Sequence, residues 1–67
     1  MKAKIDFYVY CFDRYLSIEV SEQNKESAEQ IINKAYDEWM ELVEDDSCCE
    51  EYILQQLSDA RIEYKVL

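Results

Sequence analysis

The chain has 67 residues, a formal charge of −9 and 49% hydrophobic residues, with no Gly, no Pro and no His. That composition describes one small folded domain over residues 1–67 rather than a disordered segment. The missing Gly excludes Gly-rich phosphate loops, nucleophile elbows and Gly-dependent calcium loops, and the excess of acid disfavours direct contact with nucleic acid or an anionic membrane, where Lys and Arg must meet phosphate.

No apolar run approaches the length of a membrane span. Met1-Lys2-Ala3-Lys4 is basic, but Asp6 and Tyr8 interrupt the residues that follow, so no signal peptide is expected and the expected localisation is cytoplasmic. Cys11, Cys48 and Cys49 make an odd count, which points to free thiols in a reducing compartment. A domain this small buries only about 60% of its unfolded surface. Cover from a partner or a second copy would therefore add noticeably to its stability.

The first element is expected over Ala3–Phe12, where apolar or aromatic residues occupy both phases of a two-residue period. Asp13-Arg14 follows, and Tyr15–Ser21 alternates cleanly. A hairpin turning there pairs Phe12 with Tyr15, Cys11 with Leu16, Val9 with Ile18 and Phe7 with Val20, so that the aliphatic residues share one face. Tyr10 then opposes Ser17, Tyr8 opposes Glu19 and Asp6 opposes Ser21 on the other face, and a one-residue slip would scramble both. A four-residue loop over Phe12–Tyr15 keeps the same register.

Asn24 suits an N-cap. From Lys25 the period changes: Ala28, Ile31, Ile32, Ala35, Trp39, Leu42 and Val43 recur at spacings of three and four, the inner face of an amphipathic helix over Lys25–Glu44. Glu29, Asn33, Asp37, Glu41 and Glu44 take its wet face, and Trp39 reads as a core anchor. Ser47-Cys48-Cys49-Glu50 matches a capping box that opens a second helix over Cys48–Asp59, with Cys49, Ile53, Leu57 and either Ala60 or Leu54 facing inward. One kinked helix through this region is the alternative. Arg61–Leu67 alternates again and reads as an edge strand, with Ile62, Tyr64 and Val66 on one face.

The order β-β-α-α-β predicts an α+β domain of two layers: a three-stranded sheet with the helices packed on one face. The first strand is the most apolar, which favours strand order 2-1-3 over the alternative 1-2-3.

Two surfaces are candidates for function. The sheet face away from the helices would carry Tyr8, Tyr10, Phe12 and Tyr15, rimmed by Asp6, Arg14 and Glu19. That is an apolar patch of a few hundred Å², the scale of many interaction sites, in a residue type enriched at hot spots. It would serve a homodimer formed sheet to sheet, or another protein; the plainer reading is that aromatics simply suit a strand. The second candidate is the acid run of Asp37, Glu38, Glu41, Glu44, Asp45, Asp46, Glu50 and Glu51. It lies within a stretch, Ala35–Ala60, that holds no Lys, Arg or His. Spaced carboxylates along helices imitate nucleic-acid phosphates and steer association with a basic partner; the plainer reading is a solubilising surface.

No cofactor, metal or catalytic residue is expected. Three thiols without His are a poor zinc set, and the acids lack EF-hand spacing. Acids around Cys48-Cys49 also oppose thiolate formation. No carboxylate pair is singled out by spacing or an apolar setting. In size, charge and layout the chain is similar to the small acidic accessory proteins of phages and other mobile elements, some of which inhibit host nucleases as anti-CRISPR proteins do. That likeness rests on no motif and assigns no residue a role. The resulting expectation is a non-catalytic protein-interaction module that blocks a basic surface as a DNA mimic would. The alternative is a self-associating regulatory subunit, dimeric through the aromatic sheet face.

Overall fold

The computed structural model describes residues 1–9, 13–42 and 49–67. Strand β1 (Lys2–Val9) is followed by β2 (Arg14–Ser21), a single 3-10 turn (Glu22–Asn24), helix α1 (Lys25–Glu41), helix α2 (Cys49–Asp59) and the short strand β3 (Tyr64–Val66). The three strands form one antiparallel sheet in the order β1-β2-β3, so the class is α+β.

The hairpin faces are those the alternation requires, but the register differs from the expected one. Ile5 stands opposite Ile18, Phe7 opposite Leu16 and Tyr8 opposite Tyr15, instead of Phe7 opposite Val20 and Tyr8 opposite Glu19. The slip is even, so every side chain keeps its face. This register uses β2 along its whole length: Lys2 meets Ser21 and Val9 meets Arg14. It also places Lys4 opposite Glu19. The connection closes at Asp13, whose φ of 50° lies in the left-handed region that Asp tolerates better than most residues. Without Gly, the sequence carries no preferred two-residue hairpin turn to mark this place. The expected pairings of Tyr10, Cys11 and Phe12 fall outside the described residues.

The expectation that β1 is central fails; β2 is central and β1 lies at an edge. Strand direction supplies the reason. β3 runs antiparallel to β2 and hence in the same sense as β1, so beside β1 it would need a parallel ladder, the slightly weaker pairing. Beside β2 it matches Val20 with Tyr64, Glu19 with Lys65 and Ile18 with Val66.

Ile5, Phe7 and Val9 of β1 are buried with Leu16, Ile18 and Val20 of β2. They form one cluster with Ala28, Ile32 and Ala35 of α1 and with Cys49, Ile53 and Leu57 of α2. These are the positions that the periodicities of two and of three and four select. Trp39, Ile31 and Leu54 pack against the cluster while partly exposed.

The helix ends depart from expectation in three ways. Asn24 does precede α1, but its side chain makes no capping bond; the 3-10 turn leads the backbone into the helix instead. α1 stops at Glu41 rather than Glu44, and Leu42, expected inside, is 45% exposed. α2 ends in a Schellman-type cap: Arg61 takes φ 61°, its N–H bonds to the Ser58 carbonyl at 2.9 Å, and the Ile62 N–H bonds to the Leu57 carbonyl at 3.0 Å. Ile62 and Leu57 are both buried, the apolar contact that accompanies this cap. Arg61 and Ile62 therefore end the helix, and the strand expected over Arg61–Leu67 shortens to Tyr64–Val66. Val66, expected on the inner face, is exposed. The capping box of Ser47 and Cys48 falls outside the described residues.

Candidate functional site

The register sets Tyr8 directly opposite Tyr15 across the hairpin. Their rings meet edge to face, 5.5 Å between centroids and 69° between planes, a favourable arrangement of aromatic quadrupoles. The Tyr8 hydroxyl donates to Asp13 Oδ1, beside the turn. Tyr15 is 70% exposed, whereas Tyr8 is half-buried. Tyr10 and Phe12, the other members of the expected patch, lie outside the described residues. Beyond the tyrosines the same face is polar. Asp6 Oδ1 accepts a hydrogen bond from Ser17 Oγ at 2.5 Å and lies 3.9 Å from Lys4 Nζ. Further along, Lys4, Glu19 and Lys65 form a cross-strand row of alternating charge.

The acids are arranged by the two helices. Tyr52 Oη of α2 donates to Glu38 Oε2 of α1 at 2.8 Å. A groove further along the same junction places Ile31 and Ala35 beside Gln56 and Ala60. Residue numbers rise on α1 as they fall on α2, so the helices run antiparallel. The acid-bearing end of α1 is thereby held against the acid-bearing start of α2. Asp37 and Glu41 are exposed, Glu38 is half-buried, Glu50 is half-buried and Glu51 is exposed. Glu44, Asp45 and Asp46 fall outside the described residues.

The two helix ends are not electrostatically equivalent. Glu50 and Glu51 in the first turn of α2 suit the positive end of the helix dipole. The last turn of α1 contains Glu38 and Glu41 and no base, which opposes the dipole there. Among the described residues, the ion pairs are Lys4–Asp6 and Lys25–Glu29, and neither engages the acid run. The nearby carboxylate also acts on Tyr52: its hydrogen bond to Glu38 raises the phenol above the ordinary tyrosine value, with burial and the Glu38 charge adding in the same direction.

Tyr52 has a part in this surface that sequence reading missed. Its signal was present, since position 52 continues the stripe of Cys49, Ile53 and Gln56 and a Tyr there has a hydroxyl to place. Cys49 is buried in the core, as its helical phase implies. Among the described residues no helix is long and apolar enough to cross a membrane, and no group of Cys, Asp and Glu side chains is disposed to hold a metal ion. Comparison with protein-family models, curated proteins and solved structures returned no match.

Proposed function

We propose that this is a small, non-catalytic, cytoplasmic protein-interaction module whose helical acids occupy a basic surface on a partner protein, as an inhibitor imitating nucleic acid would. The observation that carries this reading is the Tyr52–Glu38 bond, which joins the two helices at their acid-bearing ends; Lys34 lies in the groove beside Glu38, but among the described residues no ion pair engages the acid run. Glu38 is held by its bond to Tyr52, but stability alone would place Lys or Arg, not Glu41, at the C-terminal end of α1. A binding role accounts for acids kept where they weaken the helix. Steering by such a surface would speed encounter and make it sensitive to salt. The test is reversal of Asp37, Glu41, Glu50 and Glu51 to Lys, followed by capture from the native cell at low salt. Loss of partners with an unchanged far-ultraviolet spectrum supports the reading; undiminished capture sinks it.

The second reading is a self-associating regulatory subunit whose helices pack on the Phe7 and Ile18 face and leave the aromatic face for a second copy. The exposed Tyr15, stacked edge to face on Tyr8, favours it. Tyr15→Glu should then yield monomers in sedimentation; an unchanged profile rules it out.

A further inference from the structure

β1 is an outer strand of the sheet, and its ladder with β2 decides which of its backbone groups point away. The Glu22 N–H bonds to the Met1 carbonyl at 3.1 Å, which continues the β1–β2 ladder with a hydrogen-bonded pair. Counting on in twos, Ala3, Ile5 and Phe7 direct their N–H and C=O groups at β2. Across β2 the phase is opposite, as it must be: the Leu67 N–H bonds to the Ser17 carbonyl at 2.9 Å. Lys2, Lys4 and Asp6 therefore turn their backbone groups to the outer edge. Among the described residues no backbone hydrogen bond meets them there.

An open row of this kind is a template for another strand. Lysines on an edge ordinarily repel one, but Asp6, two residues beyond Lys4, converts that repulsion into a choice of register. We propose that β1 pairs antiparallel with β1 of a second copy about a two-fold axis at Ile5, joining two three-stranded sheets into one. In that register Lys4 opposes Asp6 of the second copy, and Asp6 opposes its Lys4, each in a hydrogen-bonded pair. Inner-face residues fit as well: Ile5 meets Ile5, and Ala3 meets Phe7, small against large. The neighbouring in-phase registers set Lys4 against Lys4 or Asp6 against Asp6, and like charges directly opposed are destabilising. An odd slip would set outward-facing backbone groups against inward-facing ones.

The rest of the edge agrees. A groove of about 390 Å³ lies between β1 and α1, lined by Ile5, Phe7, Ile32 and the Lys25–Glu29 ion pair, so both signs of charge recur along it. At this edge Lys2, Lys4 and Lys25 outnumber Asp6 and Glu29, although the whole chain carries −9.

Sedimentation equilibrium with charge-swapped chains tests the proposal. The wild-type chain should dimerise. Lys4→Glu alone and Asp6→Lys alone should each halve the mass, because each opposes like charges. An equimolar mixture of those two variants should recover the dimer, since the introduced Glu then faces the introduced Lys and the retained Asp6 faces the retained Lys4. The doubly swapped chain Lys4→Glu/Asp6→Lys should also dimerise, and Lys4→Glu alone, which leaves the Ser17 bond to Asp6 in place, keeps the test open should the Asp6→Lys chains lose their fold. Tyr15→Glu should leave the dimer intact. A wild-type chain that stays monomeric at millimolar concentration overturns the proposal, and so does a double swap that is monomeric with an unchanged far-ultraviolet spectrum, or a dimer lost on Tyr15→Glu but kept on Lys4→Glu.

Discussion

The hydroxyl of Tyr52 donates to Glu38 across the junction of α1 and α2. This bond couples the acidic surface to the fold and has a pH signature. The folded state holds the Tyr52 phenol above its ordinary value, so the bond's contribution is fully present below the ordinary tyrosine range near 10 and is lost as pH rises through the folded value. Melting temperatures of the wild-type chain and Tyr52→Phe should keep a constant difference from neutral pH to the start of that window, then converge. Glu38→Gln should move the spectrophotometric titration of Tyr52 back toward the ordinary value. A titration unchanged by that substitution would remove Glu38 as the cause.

Arg61 closes α2 with a positive φ in a chain without Gly. A non-Gly residue pays about 1 kcal/mol for this conformation. Arg61→Gly should stabilise the domain by about that amount in urea unfolding, as Gly does at such caps. Destabilisation would mean that the Arg61 side chain holds a contact worth more than the backbone strain.

Ile53 of α2 is fully buried in the cluster that joins sheet and helices. Ile53→Ala should cost about 2–5 kcal/mol, a large share of the stability of a domain this small. Measured in denaturant, a cost below about 1 kcal/mol would mean that the site collapses around the smaller side chain.

The phase of β1 can be tested with proline. The Ile5 N–H belongs to the ladder with β2 and the Lys4 N–H faces outward. Lys4→Pro should leave a folded chain by circular dichroism, because outward edge positions admit Pro, while Ile5→Pro should unfold it through the lost ladder bond and the lost packing. Equal damage from both would contradict the register.

Much of this fold is legible in the sequence where burial enforces a period. Phe7, Val9, Ile18 and Val20 fall on the buried face, as do Ala28, Ile32, Ala35, Ile53 and Leu57 in the helices, because a shift of one residue would expose them. The hairpin register is less legible, because a slip of two residues per strand leaves each face unchanged and only the turn arbitrates. That turn closes at Asp13 rather than at a Gly. Arg61 hides the end of α2 for the same reason, and Ile62 therefore reads as strand. Strand order misleads because the apolar character of β1 suggests a centre, while the direction of β3 favours β2. Of the candidate surfaces, the acids of α1 and α2 are legible as a run. Their meeting across the helix junction depends on Tyr52, which no charge pattern announces.

On the reading proposed above, the acids around Glu38, Glu41 and Glu50 occupy a surface built for nucleic acid. Competition on the captured complex tests it most directly: partner protein bound to the immobilised chain is challenged with increasing nucleic acid at constant ionic strength. Progressive release of the partner into solution, with the nucleic acid bound to it, is the expected result. A partner that binds nucleic acid while remaining on the immobilised chain would contradict it.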